Sequence, residues 1–257
     1  MLRKVTIIQC PAGRQLSLEE NLLVFKQRPD FVVFPEYYNV DPDRRDVRHN
    51  ASQAATYLRY CQTLSDRLAT VIIAGTAVEA DKDGFFNTAH VFDRGRLIGK
   101  YRKANPTINE RNHGIGAGSA PCLFELSGIR VSILICADVF QPERFSHLAE
   151  VDADIVFIPT TSPLRPDETI KEKFSRDARI FVAGAASSGS YLVKCCAIGC
   201  LWGGYLQGRS LVAAPWGILT RIPPYDENKR RILSFTLDIA ELREFRAKRH
   251  LQASDKS

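Results

Sequence analysis

Short, continuous apolar runs separated by amphipathic stretches constrain this chain more than any other feature. KVTIIQC, DFVVFP, TVIIAGTA, IRVSILIC and DIVFIP are apolar almost throughout and read as buried strands. Between the first two, Ser17–Lys26 begins at a Ser with Glu20 three residues on, a helix-start signature. Ala51–Leu68 sets Ala55, Leu58, Cys61, Leu64 and Leu68 on one helical face. Hairpin turns are expected at Asp93-Arg94-Gly95 and Ser127-Gly128, and a loop over Ala104–Pro121. Pro142–Val151 and Asp167–Arg179 read as helices and IFVAGAAS as a strand. LVKCCAIG, GRSLVAAP and RILSFTLD add strands, with Trp216-Gly217 turning between two of them, and Ile239–Arg249 closes as a helix. Strands layered against helices in one α/β domain are the expected plan, with the domain over 1–250 and a polar tail over 251–257.

Composition narrows the function classes. At 257 residues the chain is long enough to bury a core without staples, and 45% apolar with 25% charged residues is ordinary for a globular enzyme. The apolar runs fall far short of the ~20 residues a membrane helix needs, so no membrane partner is expected. The formal net charge is +6, but Lys and Arg are interleaved with Asp and Glu outside Lys229-Arg230-Arg231 and Arg243–His250. Such runs usually serve solubility, so no nucleic-acid partner is expected. The first residues lack the pattern of a secretory signal, so a cytoplasmic location with the seven Cys reduced is the expectation. Cys195, Cys196 and Cys200 do not have a zinc spacing and read as small apolar side chains of a strand and its turn. Gly114, Gly116 and Gly118 lack the strand–loop–helix setting that would cradle a phosphate, and His113 reads as a loop histidine.

Two strands end in chemistry rather than in bland turns. Phe31–Pro35 runs directly into Glu36, and Val131–Ile135 directly into Cys136. Ligands of open α/β sheets gather at the carboxyl ends of strands, so an acid and a thiol delivered there are candidates for one site. Lys103 follows a hairpin strand at the entrance to the Gly/Asn loop, and Thr160-Thr161-Ser162 follow DIVFIP at another strand end. Each residue alone is equally a packed or solvated group.

FPEYY, GKYRKANPT and LICADVFQPE, in this order, resemble the three motifs of the nitrilase superfamily of carbon–nitrogen hydrolases. ARIFVAGAAS, GRSLVAAPWG and LDIAELREFR resemble its later segments, so the resemblance spans nearly the whole chain. It implies an αββα sandwich that pairs through a helical face into a homodimer. It further implies hydrolysis of a small amide or N-carbamoyl compound with no metal or cofactor. Cys136 would be the nucleophile that forms a thioester and Glu36 the general base. Lys103 would stabilise the oxyanion together with the backbone N–H of Ala137. Glu110 matches the second glutamate of the family and would orient Lys103; Tyr37, Phe140, Thr160 and Thr161 would line the pocket.

The chain departs from the common pattern at two positions. Asn105 stands where many relatives carry a His, and Ala137 where an aromatic usually follows the nucleophile. The missing CWE triplet tilts the expectation from nitriles toward amides. The alternatives are a nitrilase, or a catalytically silent relative that serves as a binding or scaffold protein.

Overall fold

The computed structural model describes residues 1–118 and 122–254. In the first half, β1 (Leu2–Pro11), α1 (Leu18–Gln27), β2 (Phe31–Val33), α2 (Val47–Leu68) and β3 (Val71–Asp81) are followed by the hairpin β4 (Gly84–Asp93) and β5 (Arg96–Arg102). A five-residue helix α3 (Ile108–Asn112) and a short strand β6 (Ile115–Gly116) fall inside the expected loop, whose last residues, 119–121, lie outside the described ones. The second half comprises β7 (Phe124–Leu126), β8 (Ile129–Ile133), α4 (Pro142–Glu150), β9 (Ile155–Thr160), α5 (Ile170–Asp177), α6 (Ala183–Ser188), β10 (Tyr191–Leu201) and β11 (Gly204–Leu206). It ends with β12 (Leu211–Ala214), β13 (Gly217–Arg221), β14 (Arg231–Asp238) and α7 (Ile239–Ser254).

Strand order resolves the plan into two sheets. The first runs β5-β4-β3-β2-β1-β14, with β1, β2 and β3 parallel and the flanking pairs antiparallel. The second runs β7-β8-β9-β10-β12-β13, again parallel at its centre (β8, β9, β10). The sheets meet at one seam, where the ends of β1 and β10 pair in parallel through Cys10–Ala197 and Pro11–Ile198.

Side-chain alternation along each strand builds the layers. Ile7, Val33, Ile73 and Val91 from the first sheet face Ile133, Phe157, Val193 and Val212 from the second, and this dry interface is the main core. The intervening residues point outward. Ile8, Val32 and Ile72 pack under α1 and α2 with Cys61 and Leu64, whereas Val156, Leu192 and Leu211 pack under α4 and α6 with Phe145 and Ala185. The result is helix, sheet, sheet, helix: the expected αββα sandwich.

Local signals explain most element ends. Ser17 and Glu20 form the reciprocal capping pair at α1. The second helix starts at Val47, before the expected Ala51, because Asp46 caps it by accepting from the N–H groups of Arg48 and His49 at 2.9 and 3.0 Å. IFVAGAAS is not a strand. It lies in a π-helical turn, Ala178–Val182, and in α6. A short apolar run satisfies a buried helix and a buried strand equally, and here Gly184 lets Phe145 of α4 pack directly on the helix backbone. Cys195 and Cys196 are buried in β10 and Cys200 is exposed near its end, and all seven cysteines are free thiols. The basic runs near the end are internally paired: Arg231 holds Asp226 in a fork at 2.7 and 2.9 Å, and Arg243 reaches Asp154 at 2.7 Å. The closing helix α7 continues past residue 250 to Ser254; residues 255–257 of the expected tail lie outside the described ones. Among the described residues no helix is long and apolar enough to cross a membrane.

Candidate active site

The carboxyl ends of both parallel cores open toward each other. Glu36 follows β2 and Lys103 follows β5 in the first sheet, while Cys136 follows β8 and Thr161 follows β9 in the second. The turn after β2 depends on a glycine. Gly75 sits at φ +62°, in an irregularity of the β3–β4 pairing, and a Cβ there would lie 2.1 Å from the carbonyl oxygen of Pro35. Next to it, the Thr76 hydroxyl oxygen accepts the N–H of Tyr37 at 2.7 Å, holding Tyr37 at φ +55°.

Cys136 also has a left-handed backbone, φ +46°, and begins a 3-10 turn, Cys136–Phe140. A non-glycine residue tolerates this only where surrounding bonds over-determine it. Asp138 supplies them. Its buried carboxyl accepts from the Ile135 N–H at 2.8 Å, the Asn105 N–H at 2.7 Å and the Tyr101 hydroxyl at 2.9 Å. The Asn105 side-chain amide donates to the Ala137 carbonyl at 2.9 Å, so this departure from the common pattern ties the nucleophile turn to the segment carrying Lys103.

Lys103 is the centre of the charge cluster. Its ammonium lies 2.7 Å from Glu36 Oε1 and 3.0 and 2.8 Å from the two Glu110 oxygens, and it is 1% exposed. Asn87 Nδ2 bridges the same two carboxylates at 2.9 Å each, and the Tyr37 hydroxyl donates to Glu110 at 2.6 Å. Glu110 sits in α3, where a reciprocal cap with Thr107 fixes its side chain. The other Glu36 oxygen accepts from the Thr161 N–H at 2.8 Å and from its hydroxyl. The Cys136 thiol donates to the Thr161 carbonyl at 3.2 Å, so Thr161 touches both Glu36 and Cys136.

Burial and charge act in opposite directions here. Burial works against the Lys103 cation, but the charges of Glu36 and Glu110 outweigh it and hold the ammonium above its ordinary value. Burial likewise raises Glu110, and the Lys103 charge with its hydrogen bonds overrides it, leaving the carboxyl well below the usual range. The Cys136 thiol is pushed up, first by burial and then by the Glu36 charge, with Lys103 opposing. At rest Cys136 is a neutral thiol.

A cavity of about 530 Å³ opens onto this cluster. Cys136, Lys103 and Glu110 line it, as do all five expected pocket residues, Tyr37, Ala137, Phe140, Thr160 and Thr161. Within that set the environments differ. Phe140 is exposed at the rim, the Thr160 hydroxyl turns back to its own strand, and Tyr37 stacks edge-on against Trp202 at 4.8 Å. Glu36 is fully buried behind the lining. Sequence reasoning missed Asn87, whose only signal is a polar residue within an apolar strand, and the cations of the cavity lining, Arg176, Lys194 and Arg209. Among the described residues no group of three or more His, Cys, Asp and Glu side chains is arranged to hold a metal ion.

The sequence pattern of the family described as carbon-nitrogen hydrolase matches residues 5–247. The chain belongs to that family. Carbon-nitrogen hydrolases similar to this one include the 2-oxoglutaramate amidase of Bacillus subtilis (strain 168), 24% identical over 84% of this chain and 81% of that protein. The nitrilase of Pyrococcus abyssi is 28% identical over 74% of this chain and 70% of its own. In three dimensions the chain superposes on a carbon-nitrogen hydrolase from Helicobacter pylori G27 with a TM-score of 0.81, at 18% identity over 96% of this chain and 93% of the other. It also superposes on a variant amidase from Nesterenkonia sp. AN1 with a TM-score of 0.75, at 21% identity over 97% and 96%. That amidase carries the acetamide moiety of fluoroacetamide covalently at its active-site cysteine.

Proposed function

We propose that this carbon-nitrogen hydrolase cleaves a small amide through a thioester on Cys136. One observation carries the reading: the Lys103 ammonium lies within 3.0 Å of both Glu36 and Glu110, and Cys136 joins Glu36 through Thr161 beside one cavity. Glu36 takes the Sγ proton as the sulfur–carbon bond forms. The oxyanion that develops is stabilised by the Lys103 ammonium and the Ala137 N–H. Collapse breaks the carbon–nitrogen bond, and Glu36 returns the proton to the departing amine. Water, deprotonated by Glu36, then attacks the thioester, releasing the carboxylic acid and restoring the thiol. Glu110 keeps Lys103 charged and aimed. The same attack applies to the ureido carbon of an N-carbamoyl compound.

The test is ammonia release from a panel of aliphatic amides, N-carbamoyl amino acids and nitriles, with Cys136→Ala alongside. Turnover of an amide or N-carbamoyl compound that the alanine variant loses is the expected result. Turnover of nitriles with no amide accepted would make the protein a nitrilase. Turnover of nothing by a folded protein would favour a silent binding protein, and activity surviving in Cys136→Ala would remove the mechanism. We place the enzyme in the cytoplasm as a homodimer paired through a helical face, which light scattering and fractionation check.

A further inference from the structure

Part of the cavity lining carries an unbalanced charge that amide hydrolysis does not use. Arg176, Lys194, Arg209 and Arg221 surround Asp177 and Glu168: Lys194 and Arg221 reach Asp177 at 3.3 Å, Arg209 reaches it at 3.4 Å, and Arg176 reaches Glu168 at 2.7 Å. Four cations against two carboxylates leave two positive charges in excess. The neighbouring Glu227 does not cancel them, because Lys173 holds it at 2.8 Å. Arg209 is 3% exposed and Lys194 2%, so bulk water does not screen this excess as it would at a surface.

The hydrogen bonding is incomplete in the same place. Arg209 Nε and Nη1 and Arg176 Nε are closed to solvent and have no hydrogen-bond partner. Buried guanidinium groups are ordinarily paired, and water could accept from these nitrogens without neutralising them. Burial together with repulsion from Arg209 lowers the pKa of Arg176 despite its pairing with Glu168, in keeping with a local excess of positive charge. Arg176, Lys194 and Arg209 line the same cavity as Cys136. An anion entering there completes both the charge balance and the donor set. Side-chain turns of this size are common on binding, and a planar fork suits a carboxylate.

We infer that Arg176, Lys194 and Arg209 form a carboxylate-recognition site, so that the preferred substrate is an amide whose far end is a carboxylate, such as a dicarboxylic acid monoamide. This rests on the hydrolase reading for its reaction, but not for its binding. Two measurements keep them separate. In the first, kcat/KM is compared for succinamic, glutaramic and adipamic acids and for neutral amides in which isopropyl replaces the carboxylate. The best acid should exceed its neutral partner by about 10–100-fold, the value of a charge-assisted hydrogen-bond set. Arg209→Gln should cut that ratio at least about tenfold, mostly through KM, with Arg209→Lys restoring part of it.

The second is calorimetric binding of glutaramic acid to Cys136→Ala, which needs no turnover. Binding that Arg176→Gln or Arg209→Gln weakens at least about tenfold, in proteins whose thermal unfolding remains cooperative, supports the site. Equal kcat/KM for acids and neutral partners, or glutaramic acid binding unchanged by both substitutions, overturns it. Binding without turnover of any amide would retain the carboxylate site and reject the hydrolase reading instead.

Discussion

Replacing Lys103 by Met removes one cation from between two buried carboxylates, and its cost can be worked from the geometry. At 2.7 Å from Glu36 and 2.8 Å from Glu110, each ion pair is worth about 6 kcal/mol of gross attraction at an effective dielectric constant near 20. Burying the ammonium offsets much of that, so the net loss expected on removing one partner is about 3–5 kcal/mol. Against a total stability of about 5–15 kcal/mol this is large, and it should lower the unfolding temperature by about 6–20 °C. The pH dependence identifies the cause. In the native protein Glu110 is held below its ordinary value, so it contributes stability that is present above the unfolded carboxyl pKa and lost as pH falls through the folded one. Without Lys103, burial governs and raises the folded pKa. The variant is then penalised above that value and relieved below it. The stability gap between the two proteins should therefore be widest near neutral pH and narrow steadily as pH falls through the unfolded carboxyl pKa of about 4.5 toward the folded value of about 2. Urea unfolding across that range measures it. Lys103→Met combined with Glu110→Gln should be less destabilised than the sum of the single variants, by about 0.5–3 kcal/mol. A Lys103→Met protein as stable as the native one at pH 7, with a gap that does not vary with pH, refutes the reasoning.

Three further outcomes follow from the same site. Gly75→Ala should cost at least the ~1–2 kcal/mol of a left-handed backbone and displace Pro35 and Glu36, so kcat should fall along with stability; native-like unfolding and kcat would show that the turn is not as tight as described. Because burial raises the Cys136 thiol and Glu36 would take its proton only during attack, kcat/KM should stay level as pH passes the ordinary thiol pKa of about 8.5, whereas a tenfold rise per pH unit there would mean that the thiol must ionise before it reacts. Iodoacetamide should modify Cys136 faster than the exposed Cys200, as read by peptide mass mapping, and Glu36→Ala should slow only Cys136; equal rates that Glu36→Ala leaves unchanged would remove Glu36 as the base.

The fold was legible wherever local pattern and tertiary demand agree. KVTIIQC and DIVFIP are strands because their apolar residues come in short, nearly continuous runs that a buried strand accommodates between turns, and Ser17 with Glu20 marks a helix start that needs no partner to form. IFVAGAAS misled because its apolar run is the same length in either conformation; only Phe145, over thirty residues away, decides for the helix. The site divides in the same way. Glu36 and Cys136 announce themselves by following apolar strands directly, and Lys103 and Glu110 gain meaning only from the ordered motifs around them. Asn87 and Arg209 carry no such mark, since each is polar in a stretch whose burial depends on strands brought in from elsewhere.

What the strands bring together also explains why the site straddles both sheets. Glu36, Asn87 and Lys103 come from the first sheet, and Cys136 and Thr161 from the second. Around the site, bonds that cross include Thr161 to Glu36, Tyr101 to Asp138, and Asn105 to both Asp138 and the Ala137 carbonyl. Polar bonds of this kind contribute about 1 kcal/mol each and cannot alone hold Glu36 and Cys136 in register. The apolar interface beneath them can, because Phe31 and Phe157 meet across it with ring centres 5.5 Å apart and each lies a few residues before a site segment. Precision at the site is therefore set by close packing of the two sheets, and the charges are placed where that packing ends.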